Sequence, residues 1–296
     1  MDWIVLSMAS AAAFTAYTLL QKRALDGYVG PVAFSAVAGM VHIGIAAAIL
    51  IVSPPDWFSW SVAAMAMAGL VQAGVQLLSA YALRRSADVS RIVPVLDAYP
   101  LLVMAMAVLV LGEALTPMKW GAGLMVIAGV AIAAFSQTLP GKRLALDRSV
   151  AAVLTASLGI AVYAVLAKSV AGQITVWQMY AISWMFALPG VLAAARVSSM
   201  APVLTALRSR RALLAVALAQ APLLVAFWTG LTAIEQGPVS LATAIMSTRP
   251  VLILLWVAAA GMSLHRVFEK RETFREARAR WGSAALVTLG VGVMAF

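Results

Sequence analysis

DVSRIVPVLDAYPLLVMA, residues Asp88 to Ala105, aligns without a gap on GPVSLATAIMSTRPVLILLW, residues Gly237 to Trp256: Val89 and Ser90 fall on Val239 and Ser240, and Pro100 falls on Pro250. Working outward, Tyr17 with Lys22 reappears as Tyr163 with Lys168 at the same spacing, and Trp120 with Gly121 reappears as Trp281 with Gly282. Two hydrophobic helices can resemble each other by composition alone. Proline, aromatic and basic landmarks that keep their order along the whole chain indicate a duplication. The expected halves are residues 1–140 and residues 141–296, the second carrying a basic insertion at 264–280.

The solvent of these halves follows from composition. Of the 296 residues 64% are hydrophobic and 11% charged, with a mean hydropathy of +0.97, a balance foreign to soluble domains. Runs of about 20 apolar residues, enough to cross a hydrocarbon core of roughly 30 Å, recur between short polar breaks. Spans are expected at 2–22, 31–53, 59–83, 88–111, 117–136, 149–168, 174–195, 211–234, 238–262 and 278–296. Five spans per half is an odd number, so the halves enter the membrane in opposite directions. The expected fold is an all-α integral membrane protein of ten transmembrane helices, in two inverted five-helix repeats around a central cavity.

Charge orients and excludes. Lys plus Arg exceed Asp plus Glu by 21 − 11 = 10, but the basic residues lie in loops, where they set orientation and meet anionic headgroups; nucleic acid is not an expected partner. The odd-numbered loops hold Lys22, Arg23, Arg84, Arg85, Arg91, Lys142, Arg143, Arg148, Arg196, Arg208, Arg210, Arg211 and the cluster Arg266 to Arg280, against only Lys119 and Lys168 in the even-numbered loops. The basic loops are therefore expected in the cytoplasm of a cell whose inner membrane holds the chain, with both termini outside. The first apolar run lacks a preceding basic region and continues past its small residues, so it reads as a retained span. With no cysteine and only His42 and His265, neither a disulfide, a cofactor nor a metal cluster is expected.

The stretch Ala80 to Phe135, in which a helix with a central proline leads into Leu111, Gly112 and Glu113 and then a Gly-rich helix, resembles the EamA-like members of the drug/metabolite transporter superfamily. The opening AAFTAYTLLQKRALDGYVGP resembles that family's first helix ending in Lys, and GIAVYAVLAKSV repeats it. The resemblance implies a ten-helix inverted-repeat fold, a central cavity, and export of metabolites or amino acids, often driven by a proton gradient. The second half departs from the pattern: it lacks the Leu-Gly-Glu turn, reading AAAGMSLHRVFEKRETF, and its loop is longer.

Ionisable residues at membrane depth cost about 2.5–3.5 kcal/mol at a helix centre and mark function. Asp97 and Arg249 lie roughly 14 and 17 Å into spans four and nine, close to the midplane of the bilayer. They are expected to face each other across the cavity, either as an ion pair locking one conformation or as a substrate clamp. In a clamp Arg249 takes an anionic group and Asp97 an amine or a proton. Pro100 and Pro250 are hinge candidates that free carbonyls near Leu96 and Met246. Gln72, Gln76 and Gln220 can read a polar substrate or link helices; Tyr99, Tyr163, Trp184 and Trp228 can wall the cavity or pack. Proton-coupling candidates are Asp97, His42 and Glu113, with packing for His42 and an interfacial turn for Glu113 as the alternatives. Trp3, Trp57, Trp60, Trp120 and Trp281 are expected in the interfacial belts. Gly-rich spans five and ten suggest close helix packing; a monomer is expected, with span ten as an alternative dimer face.

Enzymes are disfavoured: no H-E-x-x-H, no phosphate-binding loop and no convincing cluster of acids is present, LPGKRLA lacking both the preceding glycine and the following hydroxyl. The expectation is a secondary active transporter, an exporter of small polar metabolites working by alternating access. Amino-acid-like zwitterions are its lead substrates because of Asp97 and Arg249. An intramembrane enzyme, or a channel or uniporter for organic cations or nucleoside-like compounds, is the alternative.

Overall fold

The computed structural model describes residues 2–85, 93, 95–97, 99–135 and 148–253, with 282, 285, 286, 289, 290 and 293 near the C-terminus. Val89, Ser90, Trp281, the basic segment 264–280 and most of expected span ten lie outside the described residues.

Apolar runs fold as helices because lipid offers no partner to a backbone amide, and a helix satisfies its own. The elements are α1 (Trp3–Gly27), α2 (Pro31–Val52), α3 (Trp60–Arg85), α4 (Tyr99–Leu111), α5 (Pro117–Phe135), α6 (Arg148–Ser169), α7 (Val176–Ser198), α8 (Ala201–Arg208), α9 (Arg210–Gln236) and α10 (Val239–Met246). Among the described residues there is no strand, only an isolated bridge between Ala171 and Ile174. Among the described residues six helices are long and apolar enough to cross a membrane, while Tyr99–Leu111 and Val239–Ile253 are shorter apolar helices. Starts are set by local chemistry. Asp2 accepts from the Ile4 amide at 3.2 Å, Pro31 occupies the first turn of α2, and Thr175 and Gln178 cap α7 reciprocally.

Several helix ends differ from expectation by two or three residues, and the larger differences include the following two. Helix α1 continues five residues past the expected end at 22, with Lys22 Nζ bonded to Asp26 Oδ1 one turn further along the same helix. The basic loop after Ser198 contains the additional helix α8, started by the Ser199 hydroxyl accepting from the Ala201 amide at 3.2 Å and by a proline in its first turn.

Packing crosses between the halves. Helix α1 lies along α9, α3 along α6 and α7, α2 along α7, α4 on α6, and α1 and α4 both on α10. Exchanging α1 with α6, α2 with α7, α3 with α9 and α4 with α10 turns the α1–α9 contact into α6–α3 and the α4–α6 contact into α10–α1. The contacts α2–α7 and α4–α10 map onto themselves.

Helix ends are tied by charged side chains. Lys22 Nζ donates to the Leu83 carbonyl at 2.9 Å and to Asp26 Oδ1 at 2.8 Å, while Arg84 donates to the Leu25 carbonyl, so α1 and α3 cap each other's C-termini. At the repeat-related position Lys168 Nζ donates to the carbonyls of Ile234 at 2.9 Å, Glu235 at 3.3 Å and Gly237 at 2.8 Å, at the C-terminus of α9.

Gly112, at φ 66°, takes the left-handed conformation that ends α4 and turns the chain. Glu113 then reaches the N-terminus of α10, accepting from the Val239 amide at 2.7 Å and from the Ser240 hydroxyl at 2.6 Å. Its carboxylate is thus engaged as a helix cap away from the cavity. Glu113→Ala is expected to lower unfolding stability in detergent micelles by about 1–2 kcal/mol; an unchanged unfolding curve would remove the capping role.

Candidate functional site

A cavity of about 130 Å³ opens between α1, α3, α4, α6, α9 and α10, and it is built around two broken helices. On the first-half side Asp97 sits in a turn immediately ahead of α4, its amide donating to the Val93 carbonyl at 2.8 Å. Pro100, in the first turn of α4, brings no amide hydrogen to the carbonyl four residues earlier. That carbonyl, Leu96, instead accepts from the Ser157 hydroxyl of α6 at 2.8 Å, and Val95 accepts from the same hydroxyl at 3.0 Å. On the second-half side α10 ends at Met246, Ser247 and Thr248 form a turn, and helix resumes at Arg249 and Pro250.

The two breaks bring Asp97 and Arg249 into direct contact, Arg249 Nη2 donating to Asp97 Oδ1. Both are buried, at 1% and 7% exposure. The guanidinium also lies over the Phe14 ring, 5.2 Å from its centroid. Among the described residues Arg249 Nε and Asp97 Oδ2 have no hydrogen-bond partner, so the pair neutralises its charges without using all of its donors and acceptors.

Around it the lining is apolar on one side and polar on the other. Helix α9 supplies Leu223, Phe227 and Leu231, while α1 and α3 supply Tyr17, Gln21, Gln72, Gln76 and Ser79. Tyr17 donates to Gln76 Oε1 at 3.3 Å. Tyr99 donates to the Thr243 carbonyl at 3.4 Å, and Tyr163 pairs with the Ser183 hydroxyl at 3.4 Å. Arg249, Tyr99, Tyr163, Gln72 and Gln76, singled out in the sequence, therefore line one cavity, with Asp97 directly behind Arg249. Gln21 and Ser79 were not singled out: they sit next to Lys22 and near Arg84, where a sequence reads as the edge of a loop.

The remaining candidates lie elsewhere. His42, Trp184 and Gln220 form a second buried cluster with Tyr180. His42 stacks on Trp184 with ring centroids 4.0 Å apart, its Nε2 faces Gln220 Oε1 at 3.0 Å and its Nδ1 meets the Tyr180 hydroxyl. Gln220 Nε2 donates to the Val216 carbonyl at 3.0 Å, which orients the amide oxygen toward the ring. A neutral imidazole protonated at Nε2 satisfies every partner. Phe227, in edge or tilted contact with Phe14, Tyr163, Tyr180 and Trp184, stands between this cluster and the cavity. Trp228, a candidate for the cavity wall or for packing, is 41% exposed and stacks on Trp177 on the outer face of α9. One step along a helix turns a side chain by about 100°, so Phe227 faces inward where Trp228 cannot. Among the described residues no group of His, Cys, Asp and Glu forms a metal site.

The model of the EamA-like transporter family matches residues 1–135. No curated protein matches the chain. A solved crystal structure, described only as that of a protein, superposes with a TM-score of 0.69 at 20% identity, over 97% of this chain and 94% of its own. That likeness carries the fold and no function.

Proposed function

Since residues 1–135 match the model of the EamA-like transporter family, we propose that this multi-pass membrane protein is a secondary active exporter of small polar metabolites, with amino-acid-like zwitterions as its lead substrates. The observation that carries the reading is the Asp97–Arg249 pair, held between two broken helices at the wall of an otherwise apolar and amide-lined cavity. A zwitterion can insert into such a pair without unbalancing it: its carboxylate replaces Asp97 on the guanidinium and its ammonium replaces Arg249 on the carboxylate. A lone cation or anion would leave one buried charge uncompensated.

The proposed architecture is ten spans in two inverted repeats, which the exchange symmetry of the helix contacts and the equivalent roles of Lys22 and Lys168 support. Alternating access would then consist of the two halves exchanging conformations around the midplane site. The basic loops support a cytoplasmic face at the C-terminal ends of α1 and α3, with both termini outside. Proton coupling, where present, would run through Asp97, the one buried carboxylate beside the cavity among the described residues.

The test is counterflow of a labelled metabolite panel into proteoliposomes of the wild-type protein, with and without a pH gradient. A carrier shows saturable accumulation driven by unlabelled substrate inside. Unsaturable flux without counterflow would mean a channel and would overturn the reading.

A further inference from the structure

We infer that the cavity contains a second subsite, formed by Gln21 and Ser79, which takes an uncharged hydrogen-bond acceptor oxygen at the far end of the substrate. The inference rests on the carrier reading above and extends it to the shape of the substrate.

Helices α1 and α3 are tied at two levels. The first is the Tyr17–Gln76 hydrogen bond at 3.3 Å; the second is the reciprocal capping of Leu83 by Lys22 and of Leu25 by Arg84. Gln21 and Ser79 fall between these levels, and both line the cavity. Among the described residues the Gln21 amide nitrogen has no partner although the residue is only 2% exposed, and the Ser79 hydroxyl has none either. Their polar neighbours are engaged: Gln76 Oε1 takes the Tyr17 proton, and Lys22 holds Asp26 and the Leu83 carbonyl. A buried amide donor and a buried hydroxyl without partners, on two residues that line a cavity, are an arrangement that a ligand oxygen completes once the side chains turn toward it.

The donors are neutral, so they suit a carbonyl, amide or hydroxyl oxygen; a carboxylate there would lack a counter-charge of its own. Phe14, which carries the Arg249 guanidinium on its face, is seven residues before Gln21, about 10 Å along the helix axis. The substrate class is therefore an elongated zwitterion. Its charged head meets Asp97 and Arg249, its apolar middle lies against Val75, Ile160 and Leu231, and its tail ends in an acceptor oxygen.

Labelled L-glutamine and its hydrocarbon isostere L-homoleucine separate head from tail. In wild-type proteoliposomes kcat/KM for counterflow of glutamine should exceed that of homoleucine by about tenfold or more, since a site built around hydrogen-bond donors rejects a ligand that leaves them unpaired. Gln21→Leu and Ser79→Ala should each lower this ratio, Gln21→Leu by about tenfold. The wild-type ratio needs no variant to fold. A wild-type preference for homoleucine, or a ratio that neither variant moves, overturns the subsite. If the wild type nevertheless exchanges either compound saturably, the carrier reading stands without it. Absence of saturable exchange of either compound in the wild type overturns the subsite together with the zwitterion reading beneath it.

Discussion

Arg249→Ala is expected to lower the unfolding free energy by about 3–5 kcal/mol, because it strands the carboxylate of Asp97 in a site that is 1% exposed. Removing both charges is a different perturbation. The double variant Asp97→Asn, Arg249→Gln leaves no ion unpaired, and breaking a pair on one side costs far more than replacing both partners. Its stability should return to within about 1–2 kcal/mol of the wild type. Unfolding in detergent micelles checks both values. An Arg249→Ala variant as stable as the wild type would mean that the guanidinium and carboxylate are not held together inside the protein.

The second large effect is at the crossing of α3 and α7. A Cβ added to Gly69 would lie 2.2 Å from the Ser183 carbonyl oxygen and 3.0 Å from Phe186 Cβ, and neither is the free end of a flexible side chain. The helices would have to move apart, losing contacts along an interface that lipid cannot replace with close packing. Gly69→Ala should therefore destabilise by about 2–4 kcal/mol, against a gain of about 1 kcal/mol from helix propensity. Gly121→Ala, where nothing lies within 4 Å, serves as the control and should be neutral or slightly stabilising. Equal melting of the two variants would contradict the close crossing.

The sequence revealed the parts of this molecule that are expensive in lipid. Asp97 and Arg249 were visible because an ionisable residue in an apolar run has few explanations, and counting residues at 1.5 Å each placed both near the midplane. The starts of α2 and α7 were expected at 31 and 174, within two residues of Pro31 and Val176, because apolar runs are bounded by polar breaks.

Side-chain direction was not legible. A helix surrounded by lipid and protein is apolar on every face, so its periodicity gives no phase. That is why the sequence left Trp228 between cavity wall and packing and did not single out Phe227, which, one residue earlier, separates the cavity from the His42 cluster. Gln220 and Trp184 were recognised as buried polar and aromatic candidates, but their common partner, Tyr180, depends on how α2, α7 and α9 cross. Ser157 is a further case. The carbonyl freed by Pro100 was predictable from the proline alone, whereas the hydroxyl that binds it comes from a helix about 60 positions away, and nothing in the local sequence distinguishes that serine from its neighbours. Glu113 was placed at a span end, yet its attachment to Val239 and Ser240 requires the two halves to be docked.

The most direct test of the central claim is counterflow of a zwitterionic substrate by the double variant Asp97→Asn, Arg249→Gln, in proteoliposomes matched to wild type for protein content and stability. A substrate clamp predicts saturable exchange in the wild type and at least a hundredfold loss in the folded double variant, since two charge-assisted contacts of about 1.5–3 kcal/mol each are removed from the bound state. Exchange by the double variant at the wild-type rate would contradict it, leaving Asp97 and Arg249 as a structural tie between two broken helices.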